Sequence, residues 1–478
     1  MSFKPLGFYL SPLCFYHVVA TFFLGCYLIS ATPAHAIVDP LSSPNNRFGI
    51  HILNGTSLDE VANLVNTNGD WGYVTLVIQD DQRDTKKWQE VFDKLRETHL
   101  IPIVRIATHP EGENWVKPAI GEAPAWASFL DSLNWVVKNR YVVLFNEPNH
   151  AKEWGGQIAP TEYADVLYNY SQKLKKQNED FFVLNAGFDS SAPNGIETRD
   201  QVSYIRSMLS HNPQVFEYID GWTSHSYPNP DFSSPPEKHG RGGIKNYEWE
   251  LSTLKSFGIQ KDLPVFITET GWSGKNLSEE KVAQNFQKSF IEIWNDPKVA
   301  AVTPFVLDYQ AEPFSSFSWK KPDGWKTQYQ VIQSLGKTVG QPEQIEKIVI
   351  RDGIPEKFTT KNLYFMTLDL ENLGQTIWKE SDGYEIQIET PGVGSQITKG
   401  ALENIKPFQI YKTGVALTTP EIPGSYSLKI SLLKNGKEVS QTTVALILEE
   451  LPEKPIDITK NHLKRFIEFL LNKLTNWK

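Results

Sequence analysis

Between residues 47 and 340 the chain alternates eight short β-rich runs with longer amphipathic stretches, and this alternation restricts the fold more than any other feature. The runs are Phe48 to Leu53, Tyr73 to Ile78, Ile101 to Ile106, Val142 to Phe145, Phe181 to Asn185, Gly221 to His225, Val265 to Thr268 and Val302 to Leu307. Short apolar runs of this kind read as strands covered on both faces. Between them, Trp126 to Lys138 and Ala283 to Trp294 repeat apolar residues at three- and four-residue spacing, which predicts helices. Thr161 and Ser278, each followed by acids, are expected N-caps. Eight such units are what a (β/α)8 TIM barrel requires. The competing topology is a doubly wound sheet, which usually carries a glycine-rich phosphate turn after its first strand. Ile52-Leu-Asn-Gly-Thr-Ser lacks one.

Two of the runs lead into a glutamate. Val142 to Asn149 reads VVLFNEPN and Pro264 to Trp272 reads PVFITETGW, so Glu147 follows the fourth strand and Glu269 the seventh. In a barrel the C-terminal strand ends carry the reactive groups, and both carboxylates are expected in one mouth. Two facing carboxylates suit glycosidic bond cleavage: about 5 to 5.5 Å apart for an acid and a nucleophile in a retaining enzyme, farther apart for an inverting one. The spacing of the sequence leaves both open.

At these residues the chain resembles the clan A glycoside hydrolases, most closely family 39-like or family 5-like enzymes. Asn146-Glu147-Pro148 looks like the acid/base motif of that clan, Thr268-Glu269-Thr270-Gly271-Trp272 like its nucleophile motif, and Asp220-Gly-Trp-Thr-Ser-His225-Ser-Tyr227-Pro like its sixth-strand segment. The resemblance implies a retaining glycoside hydrolase that cleaves β-linked oligo- or polysaccharide by double displacement. Glu269 would be the nucleophile and Glu147 the acid/base. It also implies a substrate contact from Asn146 to a sugar 2-hydroxyl, hydrogen bonds from His225 and Tyr227 to the nucleophile or the substrate, and Arg105 beneath Glu269 keeping it charged. His51 near the end of the first strand is expected in a packed or supporting role. Trp154 and Trp272 are the expected subsite walls, because an indole face stacks on the C–H face of a pyranose. The loop from Pro228 to Gly243 is expected on the cleft rim. One departure from the clan is that strand eight ends in Leu307-Asp308-Tyr309, where many relatives carry a tryptophan. The alternative of a different class is a catalytically inactive glycan-binding or cell-surface assembly protein on the same scaffold.

Composition narrows the partners. A net charge of -9 and a pI near 5.7 argue against a nucleic-acid partner, since binding a phosphate backbone needs a basic face, and none is expected. No cofactor is expected: the sequence carries no metal-ligand spacing and no cofactor motif, and a two-carboxylate mechanism requires neither. Residues 1–36 hold a single charged residue, Lys4, an apolar run from Leu13 to Ile29, and Ala34-His35-Ala36 in the small-x-small form that precedes signal-peptidase cleavage. They read as a signal peptide or an N-terminal anchor, and the protein as secreted or attached to the cell envelope. Gly25-Cys26 suggests a lipidation site that Phe23 and Leu24 fit poorly. Cys14 and Cys26 are the two cysteines of the chain, so cleavage after this segment would leave none. Asn54, Asn169 and Asn276 open glycosylation sequons.

Residues 345–450 change to strand-like alternation with turn signals, over Leu363 to Leu370, Glu385 to Glu389, Gly414 to Thr418, Tyr426 to Leu432 and Gln441 to Ile447, with Asn435-Gly436 marking a hairpin. This predicts an all-β Ig-like sandwich domain. Asn372-Leu-Gly-Gln-Thr-Ile-Trp378 resembles the tryptophan-containing Ig-like modules appended to surface proteins, implying a spacer or docking role, or polysaccharide binding. In residues 456–478 Leu463, Phe466, Ile467, Leu470, Leu471 and Leu474 share one helical face among several lysines. That pattern fits a helix on an anionic membrane surface and equally one packed on its own domain.

Overall fold

The computed structural model describes residues 37–398, 402–450 and 467–468. The expected N-terminal signal or anchor (1–36) lies outside them, as does the C-terminal amphipathic segment (456–478) apart from residues 467–468. Among the described residues no helix is long and apolar enough to cross a membrane.

All eight barrel strands form: β1 (Gly49–His51), β2 (Gly72–Gln79), β3 (Leu100–Ala107), β4 (Arg140–Leu144), β5 (Phe181–Leu184), β6 (Trp222–His225), β7 (Val265–Glu269) and β8 (Val299–Val302). Each is followed by a helix: α1 (Leu58–Asn66), α2 (Thr85–Glu97), α3 (Ala123–Ser132), α4 (Pro160–Gln177), α5 (Gln201–His211), α6 (Asn246–Ser256), α7 (Glu279–Lys288) and α8 (Thr327–Ser334). The strands pair in parallel as β1-β2-β3-β4-β5 and β8-β7-β6. Single parallel bridges, Leu184 to Gly221 and Phe48 to Val302, join the two sheets into a ring. The doubly wound alternative is thereby set aside. β2 shows why the runs read as strands: seven of its eight residues are buried, because one face meets the barrel interior and the other the helices.

Tyr73, Tyr141, Phe182 and Phe266, from β2, β4, β5 and β7, fill the barrel floor as a cluster of rings with centroids 5.0 to 6.5 Å apart. Side chains alternate along a strand, so Arg105, four residues beyond Ile101 of this floor, points inward nearer the mouth. The strap before β1 closes the floor from below. The Asn139 side chain donates to the Val38 carbonyl at 2.7 Å and accepts the Val38 N–H at 3.0 Å.

Three local expectations are corrected. Strand eight is Val299–Val302 rather than Val302 to Leu307, since Pro304 lacks an N–H and ends the ladder. The helix expected over 126 to 138 is α3 and stops at Ser132. Thr161 is not a cap, because α4 begins one residue earlier at Pro160, whose fixed φ suits a first helical turn. Ser278 does cap α7, accepting the Lys281 N–H at 3.3 Å.

The C-terminal region contains the five expected strands and three more: β9 (Ile348–Asp352), β10 (Phe358–Thr359), β11 (Leu363–Asn372), β12 (Tyr384–Glu389), β13 (Gly394–Thr398), β14 (Ile410–Thr418), β15 (Gly424–Lys434) and β16 (Lys437–Glu449). They form two four-stranded sheets, β9-β11-β14-β13 and β10-β16-β15-β12, whose buried side chains share one apolar cluster. Asn435 and Gly436 both take positive φ in the hairpin turn, as their sequence predicts.

The Asn372-to-Trp378 stretch fastens this region to the barrel. Trp378 is buried in the β core. Just before it, Gln375 donates to the Val137 carbonyl at 3.0 Å and accepts from Arg96 at 2.6 Å through its own carbonyl, while Gly374 accepts from Asn134 at 3.0 Å.

Candidate active site

The β4 loop departs from ordinary strand geometry where it delivers its chemistry. Phe145 and Glu147 take φ of 73° and 27°, in the left-handed region that non-glycine residues rarely occupy. Hydrogen bonds secure the kink: the Glu147 N–H reaches the Gly187 carbonyl at 3.0 Å, and the His150 N–H reaches the Glu147 carbonyl at 2.9 Å. At β7, a register shift against β6 pairs His225 with Glu269. These two irregularities turn Glu147 and Glu269 toward each other, with oxygen atoms of both and a ring nitrogen of His225 all within 4.8 Å of one another.

The two carboxylates have different surroundings. Glu269 is buried; Arg105 Nη1 donates to its Oε1 at 2.6 Å and Tyr227 Oη to its Oε2 at 3.1 Å. Burial opposes its charge, but His225 and Arg105 outweigh that penalty and hold the carboxyl well below the usual carboxylate range. Glu147 is more exposed, and its Oε1 lies 2.8 Å from His225 Nδ1, which is 3.8 Å from Glu269 Oε2. Burial alone would lower the pKa of His225, yet the charge of Glu269 and the bond to Glu147 raise it above its ordinary value. The three groups could accept a cation, but the guanidinium of Arg105 already supplies positive charge to Glu269.

Arg105 Nη1 also donates to Asn146 Oδ1 at 2.6 Å, so one guanidinium nitrogen ties the residue beside Glu147 to Glu269. Glu147, Glu269, Asn146, Arg105, His225 and Tyr227, drawn from four strand ends, thus meet in one place. His51 is fully buried against Phe305, its Nε2 3.9 Å from Glu269 Oε1. Burial, reinforced by Arg105, pushes its pKa down to about 3, so this contact is not an ion pair near neutrality.

The two expected tryptophan walls are not walls. Trp154 is 1% exposed, wedged edge-on against Phe145 and Tyr163 with its indole N–H on Glu162. Trp272 is 2% exposed, packed against Phe286 with its N–H on the Ser234 carbonyl at 2.8 Å. Both face outward from the mouth into the layer between strands and helices, where large rings fill space. The aromatic lining comes instead from phenylalanines that the sequence does not single out. Phe305, Phe317 and Phe232 run edge to face from His51 to Tyr227, with centroids 5.1 to 6.4 Å apart, and Phe314, 41% exposed, extends the run outward. Phe305 follows β8. Phe232 belongs to the Pro228-to-Gly243 loop, which does border the site.

Glu153 is a further carboxyl missed in the sequence. Its only signal is position, six residues past Glu147 in the same loop. Beside it, His150 Nε2 pairs with Asp189 Oδ2 at 2.9 Å.

No protein-family model matches the chain, and no curated protein sequence matches it. Solved structures similar to it include a family 39 glycoside hydrolase from Bacteroides cellulosilyticus WH2, at 14% identity and a TM-score of 0.44, covering 80% of this chain and 82% of that one. A glucosidase from Croceicoccus marinus is 12% identical with a TM-score of 0.47, covering 87% and 97%. A GH5_18 protein from Bifidobacterium longum subsp. infantis is 12% identical with a TM-score of 0.45, covering 64% and 82%.

Proposed function

We propose that this protein is a retaining glycoside hydrolase acting on β-linked oligo- or polysaccharide. One observation carries the reading: two carboxylates within 4.8 Å of a shared imidazole, one of which, Glu269, also accepts hydrogen bonds from Arg105 and Tyr227. A nucleophile must stay ionised and an acid must keep a proton, so unlike surroundings are what the pair needs. Their closeness suits direct attack rather than a water held between them.

In the first step a Glu269 oxygen attacks the anomeric carbon while the glycosidic C–O bond breaks and the leaving oxygen takes the proton of Glu147. In the second, Glu147 removes a proton from water, whose oxygen attacks the same carbon and displaces Glu269. Esterification of Glu269 removes a negative charge from the neighbourhood of Glu147, which eases its change from acid to base. His225, donating through Nδ1 to Glu147 Oε1, leaves Oε2 as the position for the transferred proton. Asn146 is the contact for the 2-hydroxyl, and the phenylalanine run beside Glu269 is the surface for a sugar face.

We further place the protein outside the cytoplasm, on the strength of Ala34-His35-Ala36 after an apolar run. N-terminal sequencing of the protein from its host tests that placement, with Ile37 as the expected first residue.

The decisive experiment is a panel of aryl β-glycosides and β-glucans, mannans and xylans, with the anomeric configuration of the first product read by NMR. Retention is expected, with turnover abolished in Glu269→Gln and partly kept in Glu147→Ala on substrates with good leaving groups. Inversion defeats the mechanism. Binding of a glycan without turnover by the wild-type protein defeats the enzyme reading in favour of a binding protein.

A further inference from the structure

The loops after β4 and β5 carry a polar pair that the two-carboxylate chemistry leaves unused. His150, three residues past Glu147, and Asp189, two residues past Gly187, meet at 2.9 Å through Nε2 and Oδ2. Buried Asn149 locks the two loops together: its side-chain amide donates to the Asp189 carbonyl at 2.8 Å and accepts the Asp189 N–H at 3.2 Å. The second oxygen of Asp189, Oδ1, accepts the Ser191 N–H at 2.8 Å, so both oxygens fix the carboxylate in one orientation. The chain after β5 alternates in direction. Gly187 faces the mouth, where a Cβ would meet the His225 ring; Phe188 faces outward among Tyr163, Tyr204 and Trp222; Asp189, bridged to His225 through the backbone, faces the mouth again. Beside it lies the rim loop, whose Asn229 donates to Ser191 Oγ at 3.0 Å. Unlike Trp154 and Trp272, the pair is open to solvent, its side chains 29% and 28% exposed. Among the described residues nothing is hydrogen-bonded to His150 Nδ1.

We propose that His150 and Asp189 form the subsite for the leaving group, and that this group is a sugar rather than an apolar aglycone. The proposal rests on the glycosidase reading above. Glu147 gives its proton to the leaving oxygen, so side chains beside Glu147 and apart from Glu269 meet the leaving group. The phenylalanine run follows Glu269 from His51 to Tyr227, whereas His150 and Asp189 stand on the loop of Glu147 and the one next to it. Burial lowers the pKa of His150, but the bond to Asp189 and the charge of Glu147 outweigh it and hold the ring above its ordinary value. A protonated ring donates through Nδ1, and each Asp189 oxygen keeps a lone pair. A donor and an acceptor thus stand side by side. Two neighbouring sugar hydroxyls, one accepting and one donating, match that pattern, and a bare hydrocarbon ring matches neither.

The test holds the sugar on the Glu269 side constant and changes the leaving group. For the full chain, kcat/KM is measured on a β-linked disaccharide and on the nitrophenyl glycoside of the same sugar, in wild type, His150→Ala and Asp189→Asn. The ratio of disaccharide to nitrophenyl activity is expected to fall about tenfold or more in His150→Ala, and to fall in Asp189→Asn as well. A ratio that stays at the wild-type value in either variant, whether both activities persist or both drop together, overturns the proposal. If wild type turns over no glycoside, the glycosidase reading fails by itself, and the subsite is read by binding. The full chain is then labelled with 15N-histidine, and β-linked disaccharides of glucose, mannose and xylose are added in turn. The His150 ring signals are assigned by their loss in His150→Ala. A shift of the Nδ1 signal with one of the disaccharides is expected, and a signal unmoved by all of them overturns the subsite.

Discussion

The imidazole of His225 occupies the space that Gly187 leaves empty: a Cβ at Gly187 would stand 2.1 Å from the Cδ2 of that ring. The Gly187 carbonyl at the same time accepts the Glu147 N–H. One glycine thus seats the imidazole between the carboxylates and supports the kinked backbone that carries one of them.

Gly187→Ala therefore forces His225 to move. The crowding is expected to cost about 1 to 3 kcal/mol of stability and, through misplacement of Glu147, about tenfold or more in kcat. Denaturant melts and steady-state kinetics on aryl glycosides check both. A fully active alanine variant is incompatible with this packing.

Arg105→Met removes the charge that offsets burial at Glu269. The pKa of Glu269 should then rise by about 1 to 3 units, carrying the acid limb of kcat/KM toward neutrality. Kinetics from pH 3 to 7 provide the check, and an unmoved acid limb would show that Arg105 does not govern Glu269.

The stability of the fold should itself depend on pH. The depressed pKa of Glu269 means folding favours its charged form, so its contribution is present above the ordinary value of 4.5 and fades as pH falls below it. For His225 the sign is opposite: its pKa is raised, so its contribution is full below 6.5 and is lost as pH rises through the folded value. Urea melts across pH 3 to 9 should show Glu269→Gln losing the acid-side slope and His225→Phe the neutral-side one.

Trp272→Ala and Phe317→Ala should fail in different ways. Trp272 is core, and its removal is expected to cost about 3 to 5 kcal/mol. Phe317 lies in the aromatic run beside Tyr227, and its loss should raise KM about tenfold at small cost in stability. Calorimetry paired with kinetics separates the two, and a KM effect from Trp272 without destabilisation would reverse the assignment.

Arg96→Met should loosen the β region from the barrel. Arg96 is buried and donates to the Gln375, Asn134 and Trp135 carbonyls and to Asp93. Stranding those acceptors is expected to cost about 3 kcal/mol or more. The unfolding endotherm should then split into two transitions, whereas a single unshifted one would mean that the joint contributes little.

The sequence by itself determined the barrel and the identity of the glutamate pair. Both are written in local chemistry: strand runs covered on two faces need apolar residues throughout, helices need a three-to-four spacing, and residues at C-terminal strand ends converge whatever the loops do. Glu147 and Glu269 were legible for that reason, as was the Asn435-Gly436 turn, whereas Arg105, His225 and Tyr227 were singled out only by the resemblance of the chain to the clan A glycoside hydrolases. What the tertiary structure decided is which side chains face the mouth and what each one touches. Trp154 and Trp272 look from sequence like sugar platforms, and only their packing against Tyr163 and Phe286 turns them into core. Phe232, Phe305 and Phe317 come together from two loops with no shared pattern, and Glu147 meets His225 from a β4 loop kinked through positive φ at Phe145 and Glu147. A side chain's type is set by one position, but its exposure and its charge state depend on neighbours brought from distant parts of the chain, and no single stretch of sequence contains them.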